Sequence, residues 1–129
     1  IEGLAPLVRD VVIAGHDRDD VSALLIPDID ACRAAAKLPG MISAVEVLGH
    51  SALHATIGQS LGRINAGVKG SSFRVERALL LDEPPSIDAG EITDKGSINQ
   101  RAVLTRRAKL VEELYAAQPT RRVIAAARS

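Results

Sequence analysis

Aromatic side chains are almost absent from this chain of 129 residues: there is no Trp, one Tyr and one Phe, 2% in all. A stacking platform for nucleic-acid bases is therefore excluded. An excess of charge is missing too, because sixteen Lys and Arg balance sixteen Asp and Glu. That balance argues against a broad electrostatic footprint for nucleic acid. A single cysteine, Cys32, cannot close an intramolecular disulfide, which fits a reducing, cytoplasmic setting. No apolar run approaches the length of a membrane span, so no membrane partner is expected. No basic segment followed by a long apolar run marks a signal peptide. The start at Ile1-Glu2-Gly3, without Met, fits a chain cut from a longer one, and equally a processed or designed start.

Apolar residues make up 47% of the chain, mostly Ala, Leu, Val and Ile, enough for one domain with a moderate core. Val11-Val12-Ile13 and the run Val21 to Pro27 read as two strands around the polar stretch Gly15 to Asp20, a hairpin pattern. Asp28 is placed to cap a helix carrying Ile29, Cys32 and Ala36, stopped by Pro39-Gly40. Ser43 and Glu46 have capping-box spacing. Leu53, Ile57, Leu61 and Ile64 then mark one face of an amphipathic helix ending near Gly67. Val75 to Leu81 reads as a third strand, terminated by Asp82-Glu83-Pro84-Pro85 because two prolines cannot continue a ladder. An irregular acidic loop covers Ser86 to Gly96. A last helix begins near Asn99, with Val103, Arg107, Leu110, Val111 and Leu114 on one side. The expected fold is a small α+β domain of about three strands packed with about three helices over residues 1–117, followed by an Arg- and Ala-rich tail, 118–129.

Several constellations invite chemistry and are better explained without it. His50 and His54 have zinc-helix spacing, but Ser51 replaces the glutamate of His-Glu-x-x-His and no third ligand is evident, so helix-packing or surface histidines are expected. Asp17, Asp19 and Asp20 lack EF-hand spacing and its closing Glu, leaving a polar turn. Cys32 lies on an apolar helix face and reads as a small buried hydrophobe. Arg106-Arg107 and Arg121-Arg122 could meet phosphates; the plain reading is a solvated helix face and tail. No metal site is expected.

The informative stretch runs from Gly90 to Leu104. It sets Lys95 beside Gly96 in a loop that leads into a helix, where free N–H groups and an ammonium suit a phosphate or carboxylate. Glu91-Ile92-Thr93-Asp94-Lys95-Gly96 with Ile98-Asn99-Gln100-Arg101 resembles the C-terminal catalytic-lysine region of AMP-forming acyl-CoA synthetases, most closely the feruloyl-CoA synthetases. Arg77 to Ser86 is similar to the strand before that loop, and Ala5 to Asp17 to the strand and turn after the interdomain hinge. Together these segments span most of the chain, from about Ala5 to Tyr115.

The resemblance implies a C-terminal lid domain of an ATP-dependent acid–CoA ligase. Its partners would be the N-terminal adenylation domain of the same protein and a small-molecule carboxylic acid. ATP with Mg2+ and coenzyme A would be substrates of the full-length enzyme, and this piece alone would not turn over ATP. The resemblance assigns Lys95 as the catalytic cation, with Thr93, Gly96, Ser97 and Arg101 as the substrate- and phosphate-loop residues. In the family the small domain closes for adenylate formation, then rotates to present another face for thioester formation. One departure matters. Much of the superfamily has the lysine directly after the glycine, so strict register puts Ser97 at the lysine position, and Lys95 must reach the site by another loop path. That substitution keeps open a second reading, a stand-alone, non-catalytic binding module with the same fold.

Overall fold

The computed structural model describes Leu4 and residues 7–15, 21–38, 40–67, 75–118, 120 and 122–126. Strands β1 (Val8–Ala14) and β2 (Val21–Pro27) pair antiparallel, with Val12 opposite Leu24. The turn expected at Asp17, Asp19 and Asp20 lies outside the described residues, as does Arg121. Three helices follow: α1 (Ile29–Ala35), α2 (Ala44–Leu48) and α3 (Ser51–Ala66). Strand β3 (Val75–Leu80) then runs parallel to β2, with Leu24 opposite Leu79. Helices α4 (Gln100–Arg106) and α5 (Ala108–Leu114) lead to β4 (Val123–Ala125), antiparallel to β3. The sheet order is β1-β2-β3-β4.

The two-residue period of the strands decides which helices cover which face. Ala23 and Leu25 of β2, Ala78 and Leu80 of β3 and Ile124 of β4 pack with Cys32, Val47, Leu53, Ile57 and Leu61 from α1, α2 and α3. Leu24, Ile26, Leu79 and Leu81 face the other way, onto Val103 of α4 and Leu114 of α5. Residues 22–26 of β2 are consequently all buried. A strand covered on both faces reads as a continuous apolar run rather than as alternation. Each fully buried Leu contributes about 1.5–3 kcal/mol of transfer free energy, so the central strands hold the two layers of helices together.

The helix starts follow the polar residues placed before them. Asp28 accepts a hydrogen bond from the Ala31 N–H at 3.1 Å, Ser43 one from Glu46 at 3.3 Å, and Asn99 one from Ala102 at 3.2 Å. Each satisfies one of the orphan donors of a first helical turn. Helix α1 ends before the expected Pro39-Gly40: Lys37 takes φ +56, and the Leu38 N–H reaches the Arg33 carbonyl while the Lys37 N–H reaches Ala34. This is a Schellman cap, formed here without glycine. The Asn65 side chain, near the end of α3, both donates to the Val75 carbonyl and accepts from its N–H, at 2.8 and 2.9 Å. An amide thereby acts as one rung of a sheet ladder at the start of β3.

Two expectations are corrected. The sheet has four strands rather than three, because Val123–Ala125, inside the segment read as a tail, pairs with Arg77 to Leu79. The single final helix is two, which meet at Arg107 (φ −108, ψ 33). Helix α3 lies so close to β4 that a Cβ on Gly58 would sit 2.9 Å from the Ala125 carbonyl oxygen. Gly58→Ala should therefore lower stability by roughly 1–3 kcal/mol despite alanine's better helix propensity. Urea denaturation measures this, and a stabilised variant would contradict the docking of β4 on α3.

Candidate functional site

Beyond Pro84-Pro85 the chain makes a tight turn: the Gly90 N–H bonds to the Ile87 carbonyl, the Glu91 N–H to Ser86, and the Ala89 N–H to the Ser86 hydroxyl. Gly90 occupies φ +78, which a side chain would disfavour. This turn brings Glu91 into the protein. A small hairpin starts immediately after it, with Ile92 opposite Ile98 in an antiparallel bridge. The Thr93 N–H donates to the Ser97 carbonyl at 2.8 Å, and the Gly96 N–H to the Thr93 carbonyl at 2.9 Å. With Gly96 at φ +83, Asp94-Lys95-Gly96 is a three-residue hairpin loop closed by a left-handed glycine. The Thr93 and Ser97 hydroxyls lie 2.8 Å apart and hydrogen-bond across the stem.

Thr93, Lys95, Gly96 and Ser97 are thus brought into one exposed hairpin, while Arg101 sits in the first turn of α4, also exposed. Lys95 stands at the hairpin tip. Its ammonium makes no ion pair or hydrogen bond among the described residues. Arg77, Arg106 and Arg107 are instead bonded within the domain. Arg77 donates to the Leu114 and Ala116 carbonyls at 3.0 and 2.9 Å, closing the end of α5.

Arg107 is buried rather than part of the solvated helix face expected from the sequence, while Arg106 keeps an exposed side. Both bind Glu91, whose side chain has no exposed surface. Arg106 Nη1 lies 2.7 Å from Oε1, Arg107 Nε 2.8 Å from Oε2, and Arg107 Nη2 3.2 Å from Oε1. The Ser86 N–H donates to Oε1 at 2.9 Å. Arg107 also reaches the Pro84 carbonyl at 3.1 Å, and Arg106 reaches Glu83 at 3.3 Å. Adjacent residues on a regular helix point about 100° apart. The break between α4 and α5 at Arg107 coincides with both guanidiniums converging on one carboxylate. The Arg107 hydrogen bond holds the Glu91 carboxyl down at about 2, against its burial, with the Ser86 N–H, the Arg107 charge and Arg106 adding to the effect.

Sequence reasoning placed Glu91 inside the motif but missed this ion pair. The signal was Arg107 itself, in an apolar stripe with Val103, Leu110 and Leu114: an arginine facing a core demands a buried anion. The remaining candidates take structural roles. His50 Nδ1 caps α3 by accepting from the Ala52 N–H at 3.1 Å, and His54 Nε2 lies 2.6 Å from the Leu48 carbonyl. Burial, with Asp28 adding to it, pushes the Cys32 thiol up to about 11, and its Sγ lies 3.4 Å from the Leu7 carbonyl. Among the described residues no three His, Cys, Asp or Glu side chains group as a metal site. No helix there is long and apolar enough to cross a membrane.

Residues 1–119 match the AMP-binding enzyme C-terminal domain, and the chain belongs to that family. It is 28% identical over 111 residues to the probable acyl-activating enzyme 16, chloroplastic, of Arabidopsis thaliana, covering 84% of this chain and 15% of that protein. Its fold is also that of part of the carboxylic acid reductase from Segniliparus rugosus. The A-PCP didomain in complex with AMP aligns with a TM-score of 0.63 at 22% identity, over 88% of this chain and 14% of that one. The A domain in complex with AMP and a co-purified carboxylic acid aligns with a TM-score of 0.61 at 22% identity, over 85% and 16%. The chain therefore spans about one seventh of the length of the relatives it matches.

Because the Glu91 carboxyl titrates below its ordinary 4.5 when folded, its ion pairs stabilise the domain fully above that pH, and the contribution fades as pH falls toward 2. Glu91→Gln leaves Arg107 buried without its counter-charge, a loss of roughly 3–5 kcal/mol at neutral pH. Urea denaturation of both forms at pH 7 and pH 3 checks this: the difference should shrink at the lower pH. A difference independent of pH would contradict the ionised pair.

Proposed function

We propose that this chain is the C-terminal domain of an ATP-dependent carboxylic acid–CoA ligase, acting on a hydroxycinnamic acid such as ferulic acid, with Lys95 as the cation for adenylate formation. The observation that carries this reading is the uncommitted ammonium of Lys95 at the tip of a short hairpin, exposed beside a helix start, while Arg77, Arg106 and Arg107 are paired within the domain. Membership of an AMP-binding enzyme family supports the adenylate chemistry. The acyl-activating name of the Arabidopsis relative and the AMP and carboxylic acid bound in the reductase point the same way. Coenzyme A as acceptor and ferulic acid as substrate rest on the motif Glu91 to Arg101.

In the first step a carboxylate oxygen of the acid attacks the α-phosphorus of ATP, and the bond to pyrophosphate breaks. Negative charge builds on the phosphate oxygens as it does so, and a positioned ammonium stabilises it. In the second step the coenzyme A sulfur attacks the acyl carbon and AMP leaves. Mg2+ would accompany ATP and is assigned no ligands on this chain. The ATP-binding loop and most of the acid pocket belong to the N-terminal adenylation domain in this reading, so the domain acts by closing over them.

Ser97 favours one alternative. It stands where register puts the lysine, its hydroxyl bonded to Thr93, which suits a non-catalytic module of the same fold. The two readings separate on Lys95→Ala in the intact protein. The ligase reading expects acid-dependent ATP–pyrophosphate exchange to fall about 100- to 1,000-fold, with acid binding little changed. An unchanged exchange rate would remove Lys95 from the chemistry.

A further inference from the structure

We infer that Glu91 is the positioning residue of the lysine hairpin: its buried carboxylate, gripped by Arg106, Arg107 and Ser86, fixes where the Lys95 ammonium is delivered. The inference rests on the reading of Lys95 as the cation for adenylate formation.

Three features of the structure lead there. First, both ends of the hairpin close on Glu91. Ile92 opens the stem directly after it, and the Asn99 N–H, at the other end, donates to the Glu91 carbonyl at 2.8 Å. Second, little else holds the hairpin. Residues 93–97 are exposed and Ile92 is half-buried, so apart from half-buried Ile98, which packs against the core cluster under α4 and α5, the stem offers little apolar surface to fix its angle to the sheet. Third, Arg106 and Arg107 anchor the Glu91 side chain to the junction of α4 and α5, and Arg107 extends the grip to the Pro84 carbonyl after β3. The loop before the hairpin and the helices after it thus meet at one carboxylate. Lys95 is four residues from that carboxylate, at the end of a short lever. An error of about 1 Å in placing a reacting group can cost on the order of 100-fold in rate, so an anchor this close to the tip bears on catalysis as well as folding.

A purely structural glutamate and a positioning one differ in how they combine with loss of the lysine. If Glu91 acts through Lys95, removing it matters only while the lysine is present. The test uses the intact enzyme as wild type, Lys95→Ala, Glu91→Gln and the double variant, with ATP–pyrophosphate exchange measured over a range of acid concentrations. Glu91→Gln is expected to lower kcat about 100-fold with KM for the acid within a few-fold, and the double variant to be no slower than Lys95→Ala alone. Should Glu91→Gln fail to fold, Arg106→Gln takes its place in the cycle, since Arg106 is partly exposed and its loss leaves Arg107 on the carboxylate. There the expected loss of kcat is about tenfold, again absent from the Lys95→Ala background. Independent losses that multiply in the double variant, or a Glu91 variant at full speed, overturn this inference and leave the role of Lys95 standing. Full exchange activity in Lys95→Ala overturns both.

Discussion

A carboxylate with no exposed surface has given up its hydration, and only fixed cations and N–H donors can replace it. At Glu91 the replacement comes from two guanidiniums and the Ser86 N–H. Taking such charges out of water costs several kcal/mol per ion, so this cluster is not a cheap source of stability. What it provides is a fixed point. The turn after β3, the lysine hairpin and the junction of α4 with α5 all converge on that side chain. Removing Glu91 or Arg107 would leave a buried charge short of its main partner, so these three segments are bound to one arrangement.

The rest of the domain supplies the base on which that point is fixed. Central strands β2 and β3 are covered on both faces, and Leu79 and Leu81 carry the layer against which α4 and α5 pack. Arg77 closes the end of α5 from the same face of β3. The hairpin itself is small and exposed, held at its root by charge and at its tip by nothing among the described residues. That division is what the proposed role of Lys95, presenting its cation to a separate domain, would require. The scaffold is rigid where it must locate the loop, and the tip is left uncommitted.

Much of this was legible in the sequence where a local rule governs. The β1–β2 pair, the stripe from Leu53 to Ile64, the caps at Asp28 and Ser43 and the helix start near Asn99 all follow from periodicity or from one side chain bonding a nearby N–H. Three residues, Val123 to Ala125, are too few to show alternation, and their pairing with β3 depends on residues more than forty positions away. The helix break at Arg107 carries no proline or glycine to announce it. It coincides with the contact both arginines make to a carboxylate sixteen and fifteen residues earlier, which no local pattern encodes. The lysine motif was visible as a string of residues, but that Glu91 is its buried root required the fold. Membership of the AMP-binding enzyme C-terminal domain family agrees with the motif at the level of the domain.

Whether Glu91 is an ionised, doubly paired anchor inside the domain can be read from a 13C NMR titration of glutamate carboxyl carbons in the folded protein, with Glu91→Gln used to assign the resonance. The Glu91 carboxyl should stay ionised as the exposed glutamates protonate, with its midpoint at about 2. A midpoint close to 4.5, in step with the surface glutamates, would mean that the carboxylate is neither buried nor held by Arg107, and the anchor would not exist.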